Sequence, residues 1–187
     1  MRTDPSADAT MPRALTELLD KQAIHELIHA YANAADRRDH ARMRQLYHPD
    51  AIDEHGRFSA GPARDFIDRL PQMQADMLIL QHHITTVNLK LDGDRAEGEV
   101  YVIAFHKIDD GQGGVDMLVH GRYLDKYEKR GGVWKFSHRV IVADWLYPAE
   151  PSRVDLDHPF LAGAHIGHPG PDDPSYAFFT FLRRGHR

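Results

Sequence analysis

The apolar positions of this chain change period part-way along it. Ile24, Leu27, Ile28, Tyr31 and Ala35 recur at helical spacing and predict an amphipathic helix over residues 14–35. Asp39 can cap a second, short helix carrying Met43, Leu46 and Tyr47, which Pro49-Asp50 ends. Ala51 to His55 reads as a short strand. Pro62 fits the first turn of a third helix with Phe66, Ile67 and Leu70 on one face, and Pro71 disfavours its continuation. The period then drops to two. His83, Thr85, Val87, Leu89 and Leu91 alternate with polar neighbours, Asp92-Gly93-Asp94 makes a tight turn, and residues 95–106 form the partner strand. After the looser Gly111-Gln112-Gly113-Gly114 loop, a second hairpin pairs 115–129 with 133–144 across Gly131-Gly132.

Helices first and an antiparallel meander afterwards give an α+β class, in which the sheet buries one face against the helices. Three parts are expected: a disordered leader over 1–12, a folded domain over 13–147 and an irregular tail over 148–187. In the tail, Tyr176-Ala177-Phe178-Phe179 and Phe181-Leu182 are poorly suited to water. They predict docking on the domain or on a neighbouring subunit.

Composition narrows the function. The chain has 187 residues, 42% of them hydrophobic, enough for one domain with a real core. A net charge of −5 and a pI near 6.2 argue against a nucleic-acid partner. With no cysteine there are no disulfides, thiolate nucleophiles or Cys-type zinc sites. No apolar run approaches the roughly 18 residues that span a bilayer, and Met1 to Pro12 lacks the apolar stretch of a signal peptide, so no membrane partner and a cytoplasmic location are expected. Asp53-Glu54-His55 with His48 does not complete a recognisable ligand set, so no metal is expected. Chemistry then falls to side chains alone.

The candidates are few. Asp36 follows the first helix, and His82 and His106 sit at the outer ends of the two strands of the first hairpin, an arrangement suited to an acid–base pocket. Plain alternation puts His83, not His82, on the face of Val87, Leu89 and Leu91; a bulge near Thr85-Thr86 would invert that. Arg139 lies in a strand that is apolar on both faces, where a charge needs a partner. It suits a substrate oxyanion, or a structural pair with Asp144 or Asp53. His55, Tyr31, Tyr47, Phe66, Met73, Met77, Tyr101, Phe105 and Trp145 are candidates to line a cavity.

Over residues 14–147 the pattern resembles the nuclear-transport-factor-2-like superfamily, in its SnoaL-like and scytalone-dehydratase-like branch. The matching pieces are Asp36 after the first helix, Tyr47-His48-Pro49-Asp50-Ala51, Gln81-His82 opening the hairpin, and Leu91-Asp92-Gly93-Asp94. Gly121-Arg122-Tyr123, Gly132-Val133-Trp134-Lys135, Arg139 and Asp144-Trp145 complete the order. The resemblance implies a cone-shaped α+β barrel around an apolar pocket, an enzyme without a cofactor, and a homo-oligomer, with a trimer favoured. It makes Asp36 and His82 the catalytic pair, with His82 ahead of His83, which is kept as a second pocket residue that binds substrate. It makes His106 a second histidine, Arg139 the last-strand arginine, and Tyr31 a counterpart of the tyrosine five residues before the aspartate in bile-acid dehydratases. Ala35 and Glu54 depart from the tyrosines of scytalone dehydratase, and Thr86 from a frequent asparagine.

The expected function is therefore a cofactor-independent lyase acting on a hydroxylated, aromatic or polycyclic small molecule. It would lose water, or cleave a carbon–carbon bond with loss of formaldehyde. An isomerase or cyclase of the same fold and a non-catalytic hydrophobic-ligand-binding module are the alternatives.

Overall fold

The computed structural model describes residues 13–182. The expected leader over 1–12 lies outside them. Helix α1 (Arg13–Asp36) buries Ile24, Leu27, Ile28, Tyr31 and Ala35 along one stripe, as their spacing requires. Arg38 in the left-handed region (φ 53°) turns the chain, and Asp39 caps α2 (His40–Leu46) by accepting the Arg42 N–H at 3.0 Å. Strand β1 (Tyr47–Glu54) follows without a break. Pro49, expected to end the helix, instead lies within β1, where the pairing with β6 shifts register between Tyr47 and Ile52. A proline cannot donate to the ladder, so such irregular edges tolerate it. A short β2 (Ala60–Pro62) leads into α3 (Ala63–Met73), which runs two residues beyond Pro71.

Two long hairpins make the rest: β3 (Met77–Asp92) with β4 (Arg95–Ile108), and β5 (Val115–Arg130) with β6 (Val133–Ala149). The six strands form one curved, unclosed sheet in the order β2-β1-β6-β5-β4-β3. The predicted antiparallel meander is present from β3 to β6, but β1 joins β6 in parallel. Helix α1 packs on β3 and β6, and α3 packs on β1. Ile24, Ile28, Val100 and Phe136 are wholly buried between the layers.

Beyond β6 the tail is mostly irregular, with two 3-10 turns and the five-residue α4 (Pro174–Phe178). It is clipped to the domain by polar contacts. Asp116 accepts from Ser152 Oγ at 2.6 Å and Arg153 N at 2.7 Å, Lys107 donates to the Val154 carbonyl at 2.7 Å, and Arg37 pairs with Asp173 at 2.6 Å. Hydrogen bonds from Ser175 and His168 outweigh burial and hold the Asp173 carboxyl down at about 2. Phe160, Phe178 and Phe181 do not follow: they are 89%, 80% and 99% exposed, whereas Tyr176 is half-buried. Among the described residues no helix is long and apolar enough to cross a membrane.

Candidate active site

Where the sheet curls under the helices it leaves a cavity of about 240 Å³. Tyr31 and Ala35 of α1, Phe66, Leu70 and Met73 of α3, and Leu80 of β3 give it apolar walls. His55, His82 and His106 bring imidazoles to the same space. Larger hollows, of about 550 and 770 Å³, lie elsewhere on the surface and contain none of these three histidines.

Asp36 ends α1 and is set against the first half of β3. Its Oδ1 lies 2.8 Å from Nδ1 of His82, and its Oδ2 accepts the backbone N–H of the same residue at 3.2 Å. The carboxylate thus fixes both the ring and the strand that carries it. With Nδ1–H donated to Asp36, Nε2 of His82 is left as the free base. The two side chains keep 13% and 16% of their exposure, so the pair is sheltered yet reachable.

A bulge decides which histidine faces inward. Ile84 pairs with Val102 and Val87 with Val100, so Thr85 and Thr86 together oppose the single residue Tyr101. Leu80, His82 and Ile84 turn toward the helices, and so do Val87, Leu89 and Leu91, despite the odd spacing between the two sets. His83 is exposed, which corrects its reading as a second pocket residue.

His106 ends the inward row of β4 after Val102 and Ala104, and its ring centroid is 6.1 Å from that of His82. Burial, helped by the neighbouring His82, lowers its pKa to about 4 and keeps it neutral. His55 follows β1, stacks on Phe66 at 4.1 Å between centroids, and hydrogen-bonds through Nδ1 to Oδ1 of Asp53. Burial lowers its pKa as well, against the pull of Asp53.

Arg139 is not on the cavity surface. It is wholly buried and grips Asp125 with Nε and Nη2, each at 2.7 Å. Its guanidinium carbon is 4.0 Å from the ring centroids of Tyr31 and Tyr123 and 4.2 Å from that of Phe136. Desolvation alone would lower its pKa, but Asp125 raises it well above the ordinary value, so the charge stays. The partner is therefore neither Asp144 nor Asp53. Asp144 faces the other side and pairs with Arg122 at 2.9 Å. Arg139 backs the ring of Tyr31, which itself lines the cavity and whose hydroxyl burial pushes up to about 12.

A sequence model of the SnoaL-like domain matches residues 16–140. The chain belongs to the SnoaL-like family. The gamma-hexachlorocyclohexane dehydrochlorinase of Sphingobium indicum is 27% identical to it over 162 residues, 83% of this chain and 93% of the relative. Among solved structures, a hexachlorocyclohexane dehydrochlorinase of Novosphingobium barchaimii superimposes with a TM-score of 0.68 at 21% identity. That match covers 76% of this chain and 98% of the other. A scytalone-dehydratase-like protein of Novosphingobium aromaticivorans gives 0.66 at 19% identity, over 76% of this chain and 93% of the other. The two structures establish the SnoaL-like cone fold.

Within this family member the remaining candidates divide by strand face. Phe66, Met73 and Met77 line the cavity. Tyr47 is buried beneath it and donates to Asp53 at 2.8 Å, so it holds a carboxylate rather than a substrate. Tyr101 and Trp145 lie on the opposite face of the sheet, where Trp145 stacks on His120 at 5.2 Å and Arg122 sits over Tyr101. Tyr101 alternates with the inward Val102, and alternation alone reveals its facing. Sequence reasoning missed Asp125 as the partner of Arg139, and Met43, Phe58, Gln74 and Leu80 as lining. Asp125 shares the alternation of the buried Tyr123 and Tyr127, which was an available signal. Among the described residues no group of three or more His, Cys, Asp or Glu side chains is placed to hold a metal ion.

Proposed function

We propose that the protein is a cofactor-independent lyase that eliminates a small group from a hydroxylated aromatic or polycyclic molecule. The observation that carries this reading is the 2.8 Å contact of His82 with Asp36 at the wall of an apolar cavity. Its kinship with a dehydrochlorinase supports loss of a leaving group beside an abstracted proton.

In the proposed reaction, Nε2 of His82 takes a carbon-bound proton from the substrate. Asp36 stabilises the resulting imidazolium and keeps its tautomer. The electrons of the C–H bond form the new double bond, the adjacent C–O bond breaks, and the imidazolium returns its proton to the departing oxygen as water. Where the base takes the proton of a hydroxymethyl group instead, the carbon–carbon bond to it breaks, formaldehyde leaves, and the imidazolium returns the proton to the carbon that keeps the bonding pair. His106, neutral beside His82, offers a hydrogen bond to substrate oxygen, and apolar walls that exclude water strengthen each contact. Arg139 acts here as a positioning residue that fixes Tyr31. The protein takes a small-molecule substrate and works as a homo-oligomer, a trimer by its resemblance.

The test is a screen of hydroxylated aromatic compounds for mass loss of water or formaldehyde, repeated with His82→Ala. Turnover should vanish with the fold intact. Wild-type rates in the variant would overturn the reading. Products of unchanged mass would point to an isomerase.

A further inference from the structure

The cavity carries two imidazole–carboxylate pairs, and the reaction above uses one. Asp53 is wholly buried, and both its oxygens are occupied: Oδ2 accepts from Tyr47 at 2.8 Å and Oδ1 faces Nδ1 of His55. This repeats the arrangement of Asp36, whose two oxygens are held by the ring and the backbone of His82. In both cases Nδ1–H is committed to the carboxylate, so Nε2 presents a lone pair. Nε2 of His55 has no hydrogen-bond partner among the described residues, nor is it a buried atom lacking one. His55 itself lines the cavity.

The positions of the two pairs matter. His55 follows β1 and His82 sits on β3, which lie near opposite edges of the sheet, and the curl of the sheet brings them to one hollow. Between them the walls are apolar, and His55 lies flat on Phe66, with an angle of 19° between the planes. Two acceptors separated by an apolar gap select a molecule with a donor at each end and a flat apolar body. A hydroxyl is the neutral group that donates without bringing a charge into such a space.

We propose that His55, oriented by Asp53 and Tyr47, is a second substrate-contacting imidazole that accepts a hydrogen bond from a hydroxyl remote from the one at His82. The substrate is accordingly an aromatic diol with its hydroxyls at opposite ends. This deepens the lyase reading in the form in which His82 meets a substrate hydroxyl, and rests on it only for the identity of that first contact.

Binding tests it without turnover. The probes are hydroquinone, 2,6-dihydroxynaphthalene and 4,4'-dihydroxybiphenyl with their mono- and dimethyl ethers, titrated by calorimetry into the full chain. For at least one size, the diol should bind the wild type about tenfold more tightly than its monoether, the worth of one well-made hydrogen bond. His55→Phe keeps the stack on Phe66 and should bring diol and monoether within about twofold of each other. Asp53→Asn should do so too. Its amide donates to Nδ1, moves the ring proton to Nε2, and turns an acceptor into a donor that suits the ether. Equal binding of diol and monoether by the wild type, or no binding of any diol at millimolar concentration, overturns the proposal. So does a diol preference that survives in His55→Phe and is lost in His82→Phe, an outcome that leaves the lyase reading intact. Failure of the lyase reading would appear instead as turnover independent of His82, with the diol preference unchanged.

Discussion

One carboxylate holds His82 twice: Oδ1 of Asp36 is 2.8 Å from its Nδ1, and Oδ2 accepts its backbone N–H at 3.2 Å. The side-chain contact sets the tautomer and the main-chain contact sets the distance. Asp36→Asn preserves shape and the backbone contact but presents an amide donor to the ring. The ring then carries its proton on Nε2 and cannot act as base. Turnover should fall by roughly 10³-fold or more, by analogy with other carboxylate–histidine pairs, while thermal stability changes little. Rates measured on the compound identified by the mass screen check this.

The buried pair of Arg139 and Asp125 should behave as a unit. Removing one partner leaves a desolvated charge, so Asp125→Ala should cost about 3–5 kcal/mol. The double variant Asp125→Leu with Arg139→Met should recover most of that loss, because neither charge is then stranded. Urea unfolding midpoints of the three proteins decide the matter.

Acid should destabilise the fold in a defined window. His106 has its pKa depressed to about 4, whereas in the unfolded chain it takes a proton near 6.5. Between these values the unfolded state binds more protons, so stability is full above about pH 6.5 and is lost as the pH falls toward 4. The loss is on the order of 2–3 kcal/mol, and His55, lowered in the same direction by burial, adds to it. Thermal midpoints at pH 7 and pH 4.5 should converge in His106→Gln, though not completely.

The tail offers a test of assembly. Phe160, Phe178 and Phe181 are almost wholly exposed although the segment around them is clipped to the domain. Exposed aromatics in an ordered segment suit a second copy of the chain. Replacing the three by Ser should lower the mass in solution measured by light scattering, and an unchanged mass would contradict the proposed homo-oligomer contact.

Gly121 should tolerate no side chain. A Cβ there would lie 2.3 Å from the Val142 carbonyl oxygen, which is backbone and cannot move aside cheaply. The β5–β6 register shifts between His120 and Gly121, so the close approach belongs to the bend of the hairpin. Gly121→Ala should cost roughly 1–3 kcal/mol in unfolding free energy.

Much of this was legible in the chain. The helical stripe of α1 and the two hairpins follow from apolar period and turn glycines, because those signals are local. The pairing of Asp36 with His82 joins residues 46 apart; residue placement suggested an acid–base pocket, but the choice of His82 over His83 came through a resemblance. What was illegible depended on depth and direction. The strand of Arg139 is apolar on both sides, so alternation could not say whether its charge meets a cavity or the core. The parallel entry of β1 beside β6 is a topological choice that no residue of β1 announces. The contact of Asp53 with His55, two residues on, was open to the alternation of β1, whereas its contact with Tyr47 spans the irregular stretch of that strand and could not be read from spacing.

The doubled residue at Thr85-Thr86 has a further consequence for comparing this chain with its kin. It works as slack: a strand one residue shorter there could straighten and still seat Ile84 opposite Val102 and His82 opposite Ala104. Ten residues back from Asp92 is His82 here, but in a homologue that lacks the extra link the same count lands on the counterpart of Gln81. A gap introduced at this spot, and nowhere else along the strand, keeps the chemistry in register.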